Sequence, residues 1–209
     1  MTAAGAPRIK VCGLTRRQDV DACLELGVDA LGFNLARGPR RITPELAAEL
    51  CAGLPPFVSA VALVMDQDAA AIDALLAAAP FTAIQLHGAE EPELARRLAR
   101  RLPVLKACRA HDGSASAWLD LPGITPLIDA PAPAGIGGGT GEAWDYAQVA
   151  PLARRQRLVL AGGLNPGNVA AAVRAVRPWA VDTASGVESA PGLKDRARLA
   201  DFIAAARSA

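Results

Sequence analysis

"RLVLAGGLNPGNVAAAVRAVRPWAVDTASG", residues 157–186, contains one complete cycle of the architecture. The apolar run Leu158 to Ala161 ends in the pair Gly162 and Gly163. A helical stretch follows from the "NPGN" turn, and a second apolar run at Trp179 to Val181 leads to Ser185 and Gly186. Short apolar runs closed by turn residues, alternating with longer stretches at helical spacing, are the pattern of strand–helix–strand units in a parallel sheet. Glycines at the ends of two successive strands add a chemical hint. They let main-chain N–H groups approach an anion closely, and a following helix start contributes partial positive charge.

The same cycle recurs outward from this stretch in both directions. "IKVCG" (9–13) precedes "RRQDVDACLELG" (16–27), in which Val20, Cys23, Leu24 and Leu26 share a face, Thr15 is the expected initiator and Gly27 the stop. "DALGFNL" (29–35) precedes "TPELAAELCAGL" (43–54), with Thr43 as cap and Pro44 in the first turn. "FVSAVALVM" (57–65) leads to a helix over "DQDAAAIDALLAAA" (66–79), and "TAIQLHG" (82–88) to one over "EEPELARRLARR" (90–101). "PVLKACR" (103–109) is followed by a loop with one short helix in "HDGSASAWLDLPG" (111–123). After "TPLIDA" (125–130) come the Gly/Pro/Ala stretch "PAPAGIGGGTGEA" (131–143) and a helix near 145–154; the last helix spans "LKDRARLADFIAAAR" (193–207). Eight strands with seven or eight helices leave a closed (β/α)8 barrel or an open doubly wound sheet. The count favours the barrel, as a single α/β domain over residues 1–209.

Composition excludes several function classes. The chain of 209 residues is 52% hydrophobic and 21% charged with a net charge of +1, an ordinary globular balance with no basic patch for nucleic acid. No apolar run is long enough to span a bilayer, and "MTAAGAPRIK" lacks the design of an export signal, so a cytoplasmic protein with a small-molecule partner is expected. Cys12, Cys23, Cys51 and Cys108 form no C-x-x-C pair, which predicts free thiols rather than disulfides or a cysteine zinc site.

In a barrel, chemistry gathers at the C-terminal ends of the strands, and phosphate often rests on the loops after strands seven and eight. Gly162, Gly163, Ser185 and Gly186 occupy those loops. "GIGGGTG" (135–141) lacks the preceding strand–turn context and the later acidic residue of a dinucleotide fingerprint; a ligand-facing loop or disorder fits it better. Cys12 and Asp129 end strands one and six, a spacing that suits a base and an acid working on one substrate from two sides. That pairing requires the Cys12 thiol to be lowered by its loop or by the substrate, and the Asp129 carboxyl to be raised by burial beside Leu127 and Ile128. The structural alternatives are a small buried hydrophobe at Cys12 and a loop brace at Asp129. His87 ends strand four without a second strand-end histidine, so a structural role outweighs metal ligation; His111 has no evident partner. Asp182 is expected to brace the phosphate loops through backbone hydrogen bonds, and Trp118, Trp144 and Trp179 are too scattered for a stacking platform.

The motifs "KVCGLT", "ALGF", "RRITPE", "PPFV", "IQLHG", "LIDA", "GGTG", "LAGGLNPGNV", "AVDTASGVE" and "PGLKD" occur in an order and spacing that resembles the phosphoribosylanthranilate isomerase family over nearly the whole chain. The resemblance implies a (β/α)8 barrel and an Amadori rearrangement of N-(5-phosphoribosyl)anthranilate in tryptophan biosynthesis, with no cofactor and no metal. It implies Asp129 as general acid, Cys12 as general base and Arg40 as the ligand of the anthranilate carboxylate. It places the phosphate on the main chain of Gly139, Gly141, Gly163, Ser185 and Gly186, and leaves a monomer or a homodimer open. "NLARGPR" is one residue shorter than the family's usual run, so Arg37 and Arg41 compete with Arg40; "DTASG" carries Thr183–Ala184 in place of Val-Ser-Ser-Gly. A ribulose-phosphate 3-epimerase would need two histidines for its metal, the histidine-pathway isomerase resembles a chain with aspartate in place of Cys12, and a silent barrel would predict loss of these residues.

Overall fold

Along every barrel strand, side chains alternate between the barrel interior and the layer beneath the helices, as a two-residue period requires. The computed structural model describes residues 5–109, 114–129 and 149–209. Eight strands close into a parallel barrel: β1 (Arg8–Cys12), β2 (Ala30–Asn34), β3 (Ser59–Val64), β4 (Ala83–Leu86), β5 (Val104–Arg109), β6 (Ile124–Asp129), β7 (Val159–Ala161) and β8 (Ala180–Thr183). Closure is made by β1 pairing with β8, Lys10 opposite Asp182 and Val11 opposite Thr183. The open doubly wound sheet is thereby ruled out.

Seven α-helices are present among the described residues: α1 (Arg17–Glu25), α2 (Pro44–Cys51), α3 (Ala69–Ala78), α4 (Pro92–Ala99), α5 (Ala150–Arg155), α6 (Val169–Val176) and α7 (Arg196–Arg207). The larger core fills the space between sheet and helices and includes Ile9, Val11, Leu31, Phe33, Ile84, Leu86, Ile128, Leu160 and Val181. A smaller cluster of Leu127, Val159, Ala161 and Ala180 fills the barrel itself. Cys23 and Cys51 belong to the outer layer, where burial pushes their thiols up to about 12 and about 11. They are packing groups: burial outweighs the pull of Lys194 on Cys23 and of Arg17 on Cys51.

Several local expectations are met and several corrected. Thr43 caps α2, its hydroxyl accepting from the Leu46 N–H, with Pro44 in the first turn. Thr15 does not cap α1; Arg16 holds the cap position, and the Thr15 hydroxyl donates to the Gly192 carbonyl at 2.6 Å. α3 starts only after Asp68, which caps it, because Asp66 turns left-handed at φ 55 and ends any helix there. α4 starts at Pro92, leaving Glu90 outside it in a buried ion pair with Lys106 at 2.8 Å. α6 starts at Val169, after a turn in which the Asn165 N–H donates to the Asn168 side chain. "LK" at 193–194 is not helical: β9 (Glu188–Ala190) and β10 (Leu193–Lys194) form an antiparallel hairpin, and α7 starts after the cap Asp195. The short helix expected near Trp118 is a 3-10 turn over Ser114–Trp118, whereas the segments 131–143 and 145–148 lie outside the described residues.

Candidate active site

A cavity of about 310 Å³ opens at the C-terminal ends of the strands. The two-residue alternation selects its wall. Cys12 on β1, Asn34 on β2, Leu63 on β3, Gln85 and His87 at the end of β4, Asp129 on β6, Ala161 on β7 and Asp182 on β8 all point inward and line it. Cys12 and Asp129 therefore share one cavity, three strands apart around the closed order.

The thiol of Cys12 sits in a buried, charged corner. Its inward neighbour on the same strand, Lys10, pairs with Asp182 at 2.9 Å, and the two side chains are only 4% and 9% exposed. Space for the sulfur comes from Gly32, opposite Cys12 across the β1–β2 pairing: a Cβ there would stand 2.8 Å from Sγ. Burial pushes the thiol up, Lys10 and Lys194 pull it down, and Asp182 pushes it up again; the result is a raised value. The lowering expected of a resting base is thus absent. A thiol removed from water disfavours the thiolate, and the nearby cations offset only part of that. Asp182 also departs from expectation, since its hydrogen-bond partner is the Lys10 ammonium rather than the phosphate-loop backbone.

Asp129 is half-buried, and burial raises its carboxyl above the usual range, as expected for an acid; electrostatic interaction with His87, Arg109 and Lys10 opposes this and Asp182 adds to it. His87 Nε2 lies 3.9 Å from Asp129 Oδ2, and His87 Nδ1 lies 2.9 Å from Gln85 Nε2. The Gln85 side-chain oxygen is buried with no partner. His87 thus belongs to the neighbourhood of the acid, and the described residues contain no group of three His, Cys, Asp or Glu placed to hold a metal.

Of the three competing arginines, only Arg40 lines the cavity. Arg37 is exposed beside Asp66, and Arg41 faces a separate surface groove. Arg40 lies across Gly13, whose backbone is left-handed at φ 75 and whose missing Cβ would stand 2.4 Å from Arg40 Cδ. The guanidinium forms a bidentate pair with Glu188, Nε to Oε1 at 2.8 Å and Nη2 to Oε2 at 2.6 Å. Burial raises the Glu188 carboxyl, but hydrogen bonds from Arg40 and Lys194 outweigh it and hold the group below the usual carboxylate range.

Gly163, Ser185 and Gly186 line the same cavity beside Gly162 and Ala184. The two loops are stitched together by the Thr183 hydroxyl donating to the Leu164 carbonyl at 2.8 Å. Gly186 admits no side chain, because a Cβ would fall 2.0 Å from that carbonyl oxygen. Gly139 and Gly141, also expected to hold phosphate, and His111 and Trp144 lie outside the described residues.

Lys10, Gln85, Gly32, Glu188 and Lys194 went unassigned from sequence. Strand alternation could have put Lys10 and Gln85 on the inner face with Cys12 and His87. Nothing local could have joined Glu188 to Arg40, because 148 positions separate them.

The family model described as N-(5'phosphoribosyl)anthranilate (PRA) isomerase matches residues 9–205. The chain is similar to the N-(5'-phosphoribosyl)anthranilate isomerase of Thiobacillus denitrificans, 43% identical over 97% of this chain and 99% of the relative. Among solved structures it is similar to the phosphoribosyl anthranilate isomerase of Thermotoga maritima, with a TM-score of 0.88 and 37% identity over 97% of this chain and 100% of that one. A further isomerase structure, in complex with reduced 1-(o-carboxyphenylamino)-1-deoxyribulose 5-phosphate, gives a TM-score of 0.86 and 35% identity over 97% and 100%. A closed parallel barrel with this cavity at its C-terminal mouth, matched over almost its full length, places the chain in the N-(5'-phosphoribosyl)anthranilate isomerase family.

Proposed function

We propose that this protein converts N-(5-phosphoribosyl)anthranilate to 1-(2-carboxyphenylamino)-1-deoxyribulose 5-phosphate, with Asp129 as general acid and Cys12 as general base. The observation that carries the residue roles is the placement of these two groups in one cavity, on strands three steps apart, with a half-buried acid and a thiol beside a buried ammonium. Protonated Asp129 gives its proton to the furanose ring oxygen, and the C1–O bond breaks to leave a Schiff base. Cys12, ionised with Lys10 and Lys194 as the cations beside its thiolate, then takes the proton from C2; the C2–H electron pair forms the C1–C2 double bond as the C1=N pair moves to nitrogen, giving the enolamine, which tautomerises to the ketone. C1 is reduced as C2 is oxidised within the substrate, so no external oxidant or reductant is consumed.

Arg40 binds the anthranilate carboxylate, for which a planar guanidinium is the natural partner. Gly163, Ser185 and Gly186 receive the phosphate on their main chain, held close by the two stitched loops. The relative crystallised with a reduced product analogue supports a phosphosugar ligand for this barrel.

The test is the loss of anthranilate-substrate fluorescence in metal-free buffer, with wild type beside Cys12→Ala and Asp129→Asn. Each substitution is expected to lower kcat by about 10²- to 10⁴-fold with the circular dichroism spectrum retained. Folded variants that keep full turnover would remove the residue concerned from the mechanism.

A further inference from the structure

The hairpin of β9 and β10 follows the last barrel strand, and its motifs, the end of "SGVE" and "PGLKD", take no part in the chemistry above. We propose that Glu188, backed by Lys194, is a positioning and specificity residue: it fixes Arg40 so that the guanidinium's remaining N–H groups meet the substrate's aromatic carboxylate, and it joins that arm to the strand end bearing Cys12. This rests on Arg40 being the carboxylate-binding residue.

The geometry is built from saturated donors. Arg40 spends its Nε–H and one Nη2–H on Glu188, which leaves three of its five N–H groups for a ligand. Glu188, with 4% of its side chain exposed, also accepts from Lys194 Nζ at 2.8 Å and from the Gly192 N–H at 3.2 Å. The other two N–H groups of the Lys194 ammonium go to the carbonyls of Cys12 at 2.7 Å and Ala184 at 3.0 Å. One buried lysine thus ties the ends of β1 and β8 to the hairpin, and the hairpin carboxylate holds the arginine.

Charge explains why the lysine belongs to the device. An Arg–Glu pair alone is neutral and would attract a substrate carboxylate weakly. With Lys194 bonded to the same carboxylate, the trio carries a surplus positive charge at the cavity edge. Fixing the arginine beforehand also removes the entropy lost when a long side chain is ordered on binding.

The experiment compares kcat/KM for N-(5-phosphoribosyl)anthranilate with that for N-(5-phosphoribosyl)aniline, which lacks the carboxylate, in wild type and Glu188→Gln, with products followed by chromatography. Glu188→Gln adds one unit to the surplus charge but leaves the guanidinium unfixed, and positioning outweighs charge: KM for the carboxylated substrate is expected to rise about tenfold with kcat within about threefold, so that the preference for the carboxylated substrate falls about tenfold. In an Arg40→Leu background the same change should alter that preference less than about twofold, because Glu188 acts through Arg40. Equal losses on both substrates would make the hairpin merely structural, an unchanged preference would remove Glu188 from specificity, and a lower KM would make it a competitor for the guanidinium; each overturns the proposal. If Glu188→Gln does not fold, Glu188→Asp keeps the charge between Arg40 and Lys194 while drawing the fork back, and a reduced preference is again expected. Wild type inert toward both substrates would overturn the isomerase reading itself, whereas wild-type activity with an unchanged preference in the variants overturns only the role of Glu188.

Discussion

The two sides of the barrel mouth solve opposite electrostatic problems. On the β1–β8 side, Cys12 stands among paired charges: buried Lys10 with Asp182 and buried Lys194 with Glu188, which also holds the partly exposed Arg40. On the β4–β6 side, Asp129 is half open, His87 stands 3.9 Å away, and the Gln85 oxygen has no partner. A base that must become an anion in a water-poor corner needs cations fixed beside it, and buried cations need counter-charges, so that side becomes a network. An acid needs only to remain protonated, which partial burial favours without any network. The base side is accordingly held rigid by the fold, while the acid side is left open to substrate.

Lys10→Met would break this contrast most severely. It leaves the Asp182 carboxylate buried without its cation, a change that costs about 3–5 kcal/mol when one partner of a buried pair is removed. Urea denaturation should show that loss, and Lys10→Met with Asp182→Leu should recover much of it; no loss in the single variant would mean that the base side is not a charge network. In any folded fraction of the single variant, the Cys12 thiol loses a cation that pulls its pKa down. The thiol pKa therefore rises, and alkylation of Cys12 at pH 8, followed by mass spectrometry, should slow.

Gly32→Ala probes the same side without touching charge. Its Cβ would stand 2.8 Å from Cys12 Sγ, so the thiol must turn from its place. Turnover should fall by about 10- to 100-fold with little change in KM, since a misplacement of the reacting group of about 1 Å costs on the order of 10²-fold. Wild-type kcat would show that the thiol position is not constrained.

His87→Gln tests the open side and should have the smallest effect. Electrostatic interaction with His87 lowers the Asp129 carboxyl, so replacing the imidazole with a neutral amide raises that carboxyl further. Activity requires protonated Asp129 and is lost as pH rises through its pKa, so the limb of the pH profile due to Asp129 should move to higher pH. Movement to lower pH would reverse the assigned electrostatics.

Much of this molecule was legible in its sequence. Repeated strand–helix spacing identified the barrel, Pro44 behind Thr43 placed a helix start to the residue, and the position of a residue at a strand end brought Cys12, Asp129, Gly163, Ser185 and Gly186 to one mouth. These are local properties: apolar period, capping chemistry and turn glycines are each decided within a few residues of chain. Where local signals failed, a distant partner had prevailed. Leu193 and Lys194 read as the first turn of a helix, yet Lys194 is drawn into a strand by Cys12, Ala184 and Glu188, which together satisfy its buried ammonium. Asp182 read as a loop brace and is instead the counter-charge of Lys10, 172 positions away.

The sequence by itself determined the elements, their order and the chemical types gathered at the strand ends, because backbone preferences and side-chain alternation act over short range. Only the tertiary structure decided which charges neutralise one another, which arginine faces the cavity and how far burial raises Cys12 and Asp129. Those are properties of three-dimensional neighbourhood: the energy of a buried charge depends on the groups within a few ångströms of it, and closure of the barrel brings β1 beside β8 from opposite ends of the chain.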